Sequence, residues 1–206
     1  MADAGVTAGE LVVDLGAGSG MLTEPLLAAG ARVIAIEPDR RFAARLRRAC
    51  PAARVVEADA LRTAWPAEPF RVVANIPFNR STEICRSLFA APQLVAADLV
   101  VEWDFAAKRA RLWPSTAQTV VWSAWFELTV ARRIEPRAFA PAPSVAAAVL
   151  RARRRERPLV RPADAERYEA FVRRGFRDHR ARERDPHAWA ELWERNRPGP
   201  RVPFPR

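Results

Sequence analysis

Cysteine and histidine are scarce in this chain: two of each among 206 residues, Cys50, Cys85, His179 and His187. The cysteines lie far apart and neither belongs to a Cys-x-x-Cys pair. No metal site is implied, and both read as ordinary buried thiols in a reducing compartment. The histidines read as solvated surface residues. No run of 18 apolar residues occurs, so no membrane span is expected. The N-terminus has no basic region followed by an apolar one, which argues against export and for a cytoplasmic protein. Lysine is almost absent, with Lys108 alone among 34 basic side chains. Against 24 acids these give a net charge of +10. Such a balance favours an anionic polymer as partner. Ala, Arg and Pro all use GC-rich codons, so composition drift would also raise arginine, and charge alone leaves the two open. Half of the chain is apolar. That suffices for one full core and a small appendage.

What is present is an alternation of strands and helices. Leu11–Leu15 reads as a parallel-sheet strand, followed at once by Gly16-Ala17-Gly18-Ser19-Gly20 and a helix over residues 21–29. Glycines there let the backbone turn tightly and approach a ligand. A second strand, Arg32–Ile36, ends in Glu37, about 20 residues beyond the first glycine, where such folds place a ribose-binding carboxylate. The pattern is Asp14-x-Gly16-x-Gly18-x-Gly20, and its third glycine is misplaced for the dinucleotide fingerprint. Further on, the pattern predicts a helix over 39–49 capped by Asp39, a strand over 53–57 leading to Asp59-Ala60, a strand over 70–74 and a helix over 80–90. A strand over Leu94–Glu102 and a basic helix over 103–112 follow. Residues 115–123 are ambiguous, 125–134 and 145–153 read as strands, and 163–184 and 186–195 as helices. The Pro-rich tail from 197 to 206 is expected to be disordered.

Two stretches carry chemistry. Residues 71–74 are a short strand rich in β-branched side chains. It ends at Asn75, followed by Ile76, Pro77 and Phe78, with Ser81-Thr82 available to cap the next helix. The loop therefore projects from the carboxyl edge of the sheet, where open α/β folds bind ligands. Asn75 can accept a hydrogen bond from an exocyclic amino group, Pro77 stiffens the backbone, and Phe78 can stack on a flat ring. The second stretch, Phe139-Ala140-Pro141-Ala142-Pro143-Ser144-Val145, holds an extended backbone through its prolines. Alone it reads equally well as a rigid hairpin loop with Phe139 as a core plug.

The Asp-x-Gly-x-Gly form resembles class I S-adenosylmethionine-dependent methyltransferases. Together, Asn75-Ile76-Pro77-Phe78 and Phe139-x-Pro141-x-Pro143-x-Val145 resemble the rRNA adenine N6-methyltransferases. That family comprises the Erm macrolide-resistance enzymes and the KsgA-type dimethyladenosine transferases. The resemblance covers residues 10 to 176 or so; Phe78 in place of Tyr and the arginine-rich tail favour the Erm branch. It implies an α/β, Rossmann-like, mostly parallel seven-stranded sheet in a catalytic domain over residues 1–155, with a reduced basic helical region over 156–206. It implies S-adenosylmethionine as cofactor. Asp14, Gly16, Ala17, Gly18 and Gly20 would form its methionine loop, Glu37 and Pro38 its ribose site, and Asp59 and Ala60 its adenine wall, with Asn75 bordering it. Asn75 and the Ile76 carbonyl would bind the target amino group on the Pro77-stiffened loop, and Phe78 and Phe139 would stack on the target adenine. Arg80, Lys108, Arg109, Arg111 and the arginines of 151–157 would hold phosphates. The implied reaction is N6-methylation of an adenine in ribosomal RNA, 23S first, giving macrolide-lincosamide-streptogramin resistance. The alternatives are a 16S dimethyltransferase and a non-catalytic RNA-binding factor. A monomer without metal or membrane is expected. Three departures stand out. The family's Gln-Asn-Phe-Leu leader does not precede the first strand, so weak cofactor binding is expected. The C-terminal helical region is short. Val145-Ala146 stands where the family has Val-Asp.

Overall fold

The computed structural model describes residues 4–140, 143–177 and 184–197. Seven strands form one sheet: β1 (Leu11–Leu15), β2 (Arg32–Ile36), β3 (Arg54–Val56), β4 (Phe70–Asn75), β5 (Leu94–Glu102), β6 (Phe126–Ile134) and β7 (Ala147–Arg154), in the order β3-β2-β1-β4-β5-β7-β6. The β1–β2, β2–β3, β1–β4 and β4–β5 pairs are parallel, and β7 runs antiparallel to β5. Strand order leaves β1 in one direction towards β2 and in the other towards β4. This is the switch point at which a crevice opens beyond the carboxyl ends of the strands. β1 ends in the glycine loop and β4 ends in Asn75, so both motifs fall there.

The α-helices among the described residues are α1 (Thr23–Ala28), α2 (Arg40–Ala49), α3 (Ser81–Ala90), α4 (Trp103–Arg109), α5 (Ala117–Ser123), α6 (Ala165–Gly175) and α7 (Pro186–Asn196), with short 3-10 turns between some elements. By its contacts the chain divides into two units: residues 1–107 with 127–154, and residues 108–126 with 155–206. The second unit thus takes in residues 108–126, which a boundary after residue 155 assigns to the catalytic domain.

In the first unit Val12, Leu26, Val33 and Val73 form one buried cluster, and Ala17, Ala35, Leu46 and Cys50 another. The α2 helix is set by its N-cap, Asp39, whose carboxylate accepts from the N–H groups of Arg41 and Phe42; such a cap contributes about 1 kcal/mol. The second unit has an aromatic core. Tyr168, Trp189 and Trp193 are buried, and Tyr168 and Phe171 meet Trp193 edge to face. These pairs add about 1 kcal/mol each beyond the area they bury.

Several expected elements shift. The α1 helix starts at Thr23, and Met21 stands 81% exposed before it. Ser81 and Thr82 do not cap α3. A 3-10 turn over Phe78–Arg80 leads straight into that helix, and the Ser81 hydroxyl lies 3.4 Å from the Pro77 carbonyl behind it. The α4 helix stops at Arg109, and the ambiguous stretch becomes α5, capped by Thr116. The α6 helix ends at Gly175. His179, Pro141 and residues 198–206 lie outside the described residues.

The arginine run is the largest correction. Antiparallel pairing sets Arg151 opposite Asp98. Arg151 and Arg153, two apart on one strand face, both grip that buried carboxylate, at 2.7 and 2.8 Å. Arg154 donates to the Ala91 and Leu94 carbonyls. In the second unit, Arg155 donates to the Ser123 carbonyl at 2.9 Å. These four side chains are tied into the architecture: Arg151 and Arg153 share the face of β7 that meets Asp98, Arg154 leaves the opposite face, and Arg155 follows the end of the strand.

Candidate active site at the switch point

The side expected to hold the cofactor is built from backbone. The Gly16 and Ala17 N–H groups donate to the Ile36 carbonyl at 2.8 and 3.2 Å, which folds the loop back over the end of β2. Gly16, Gly18 and Gly20 all have positive φ, at 67°, 53° and 94°. Glycine meets no Cβ penalty there. At Gly20 the requirement is double, since a Cβ would lie 2.9 Å from Leu46 Cδ1. Glu37 is buried at 5% exposure. Its two oxygens accept from the Gly18 N–H at 2.7 Å and the Asp39 N–H at 2.8 Å. The carboxylate therefore clamps the glycine loop to the turn after β2, while Pro38 and the Asp39 cap stand exposed beside it.

Asp14 has no exposure at all. Thr23, on the first turn of α1, donates its hydroxyl to Asp14 Oδ2 at 2.7 Å, while Oδ1 has no hydrogen-bond partner among the described residues. Burial pushes the Asp14 carboxyl up to about 6. The sequence signal for Thr23 was slight: a polar residue at a helix position that faces the core.

Asp59 accepts from the Leu61 N–H at 2.9 Å and from Arg80 Nη1 at 3.1 Å. The Leu61 N–H, and then Arg80, hold its carboxyl below the usual range. Ala60 opens the 3-10 turn that follows. Arg80 also approaches Glu83 at 3.7 Å. Expected as a phosphate contact, Arg80 instead joins the acceptor loop to Asp59, a link that no spacing rule announces.

The side expected to take the target base is a loop and a wall. Asn75 is exposed at the end of β4, next to Ile76, which is buried, its N–H bonded to the Val100 carbonyl. Asn75, Ile76, Pro77, Phe78, Phe139 and Pro143 line one open cavity of about 310 Å³. The two motifs are more than sixty residues apart in sequence and meet here. The two halves of the site also approach each other: a Cβ on Gly16 would lie 3.8 Å from the Asn75 carbonyl oxygen. A larger groove of about 560 Å³ runs along the face of β1, β2 and β3 beside Trp65, and holds none of these residues.

The remaining expected phosphate contacts fall in the second unit. Lys108 and Arg111 are exposed. Arg109 is 8% exposed, with its guanidinium 5.5 Å from the centre of the Trp122 ring. Among the described residues no helix is long and apolar enough to cross a membrane, and no group of three or more His, Cys, Asp or Glu is placed to hold a metal ion.

Known proteins share this fold. The crystal structure of the 23S rRNA methyltransferase ErmE superposes with a TM-score of 0.81 at 29% identity, covering 93% of each chain. An rRNA adenine N-6-methyltransferase of Corynebacterium diphtheriae is 35% identical over 167 residues, 80% of this chain and 66% of that one. The mycinamicin-resistance protein MyrB of Micromonospora griseorubida is 36% identical over 163 residues, 79% of this chain and 52% of that one. The chain thus spans about half to two thirds of the length of these curated relatives. Its fold is that of the class I methyltransferases. Residues 2–182 match the family described as ribosomal RNA adenine dimethylase, and the chain belongs to that family.

Proposed function

We propose that the protein transfers a methyl group from S-adenosylmethionine to the exocyclic N6 of an adenine in ribosomal RNA, with 23S rRNA as the substrate and macrolide-type resistance as the outcome. The observation that carries this reading is the single cavity lined by Asn75, Ile76, Pro77, Phe78 and Phe139 beside the glycine loop. A flat ring with an amino group fits an amide at one edge and aromatic walls. The relatives named for 23S rRNA methylation and for mycinamicin resistance support the choice of substrate.

The residues present fit the cofactor. The glycine loop exposes close backbone, the Glu37 carboxylate stands at the end of β2, and Asp14 keeps a buried oxygen without a partner among the described residues. Gly16, Ala17, Gly18 and Gly20 would hold the methionine end, Glu37 and Pro38 the ribose, and Asp59 and Ala60 the adenine. When bound, the cofactor supplies an electrophilic methyl on a sulfonium.

Everything else falls to the chain's own groups. An adenine amino group is a poor nucleophile because its lone pair is delocalised into the ring. The Asn75 side-chain oxygen and the Ile76 carbonyl would accept its two hydrogens and turn the lone pair out of the ring plane. No strong base is required, since the proton becomes acidic only after transfer. Catalysis is then mainly orientation, worth several kcal/mol. The base must leave the RNA stack at a cost of a few kcal/mol. Stacking on Phe78 and Phe139, at about 1–3 kcal/mol per base, offsets it.

The test is incubation of the chain with labelled S-adenosylmethionine and purified 23S or 16S rRNA, followed by mapping of modified adenines. Label at N6 of a 23S adenine is the expected result. Label confined to 16S rRNA would move the protein to the small-subunit reaction. RNA binding without transfer to either would make it a binding factor.

A further inference from the structure

Tryptophan is used here almost entirely as core. Of the seven, Trp122, Trp189 and Trp193 are buried, and Trp65, Trp103 and Trp125 are half-buried. Trp113 is the exception, at 63% exposure, and its neighbour Leu112 stands at 69%. Two adjacent large apolar side chains in water are a feature to be explained rather than expected.

Their exposure is imposed by the chain around them. The α4 helix ends at Arg109, which is buried with its guanidinium against the Trp122 ring. Pro114, directly after Trp113, is buried. Thr116 caps α5, accepting from the Thr119 N–H at 3.2 Å. The loop is thus tethered at Arg109, at Pro114 and at Thr116, and only residues 110–113 are free to bulge. A residue before proline is also confined to extended backbone. Trp113 is therefore held outward with little backbone freedom left to lose on binding.

The loop's own charge is basic, with the exposed Asp104 one turn before Lys108 on α4. From Phe105 to Phe126 the sequence contains Lys108, Arg109 and Arg111 and no acid. Lys108 and Arg111 are exposed on either side of the buried Arg109. An exposed indole face with two exposed cations close to it in sequence matches a nucleotide with its base unstacked and its phosphates flanking it. A protein partner would need acidic groups for Lys108 and Arg111. An RNA strand brings a phosphate for each at every base.

We propose that Trp113, with Lys108 and Arg111, forms a stacking platform in the second unit for an unpaired base of the RNA substrate, separate from the cavity that takes the target adenine. This deepens the RNA methyltransferase reading and rests on it. Stacking is blind to base identity, so the platform fixes the register of a single-stranded segment without reading its sequence.

The test uses the full chain without cofactor, as parent, Trp113→Ala and Trp113→Phe. The probes are a 12-nucleotide single-stranded oligoadenylate and a blunt RNA duplex of the same length, with binding read by anisotropy and by tryptophan quenching. Trp113→Ala should weaken oligoadenylate binding about tenfold, the loss of one stacked base. Trp113→Phe should keep binding within about threefold while losing most of the quenching, and duplex binding should be the same for all three. Equal oligoadenylate affinity for parent and Trp113→Ala overturns the platform, as does an equal loss on the duplex. A loss seen only with whole ribosomal particles would assign Trp113 to a protein partner and overturn it too. Because no cofactor is present, failure of the parent to methylate any rRNA would retire the methyltransferase reading while this measurement still decides the platform.

Discussion

The two sides of the switch-point site are organised in opposite ways. On the side proposed for the cofactor the polar groups are already committed to the chain itself. Glu37 holds two backbone N–H groups, Thr23 holds one oxygen of a fully buried Asp14, and the glycine loop is pinned to Ile36. On the acceptor side Asn75 and Pro77 are exposed, and Phe78 and Phe139 are half-buried around an open cavity. The difference follows from what each side would bind. A cofactor used in every turnover is met by a preorganised loop, which lowers the entropy lost on binding. On the proposed function, a base drawn out of RNA would need an open cavity and exposed acceptors.

Three measurements can break or sharpen that contrast. The largest effect is expected at Asn75. Asn75→Ala should reduce methyl transfer at least about 100-fold through lost orientation of the amino group. Cofactor affinity by calorimetry should stay within about twofold of the parent, since the Asn75 side chain lies on the acceptor side of the comparison. Transfer within a few-fold of the parent would remove Asn75 from the acceptor role.

Glu37→Ala should do the opposite and weaken cofactor binding first. Two charge-assisted hydrogen bonds from backbone are lost with it, along with any bond to ribose, so about 10- to 100-fold is expected. Because Glu37 clamps Gly18 and Asp39, amide exchange in residues 16–20 should quicken in the variant even without cofactor. Calorimetric affinity equal to the parent's would show that the clamp and the cofactor are unrelated.

The smallest effect concerns Asp14 and pH. Burial raises its carboxyl from 3.8 to about 6. Its charged form is therefore disfavoured by folding, and the cost is fully present above pH 6. As pH falls from 6 towards 4 the folded chain takes up a proton that the unfolded chain does not, and the cost is shed. Asp14→Asn stays neutral throughout. The stability of the parent relative to this variant should fall by about 2 kcal/mol between pH 4 and pH 7. Urea unfolding of both proteins at the two pH values measures it, and a difference that does not move with pH would return Asp14 to an ordinary carboxylate.

Much of the fold was legible because it depends on short-range pattern. The β1 and β2 strands, the glycines between β1 and α1, the Asp39 cap and the strand of residues 94–102 follow from β-branched runs, turn residues and capping chemistry within a few positions. Asn75, Pro77 and Phe78 stood out for the same reason: a polar residue, a ring without an N–H and an aromatic in succession break a strand.

What the linear pattern could not assign was the work of the arginines and the depth of the acids. Arg151, Arg153 and Arg154 belong to a basic run, yet pairing with β5 turns them onto Asp98 and onto backbone carbonyls. Arg80 is held to Asp59 because a 3-10 turn follows Pro77. Arg109 and Lys108 are neighbours in sequence, and one is buried against Trp122 while the other is exposed.

The sequence by itself determined where strands end, which turns need glycine or proline, and which residue types stand at those ends, since backbone sterics and side-chain hydrogen bonding act locally. Tertiary structure alone decided that Phe139 shares a cavity with Asn75, that Glu37 clamps the loop before it, and which cations stand exposed. Those outcomes depend on strand order and burial, which bring distant residues together and set the cost of leaving a charge unpaired.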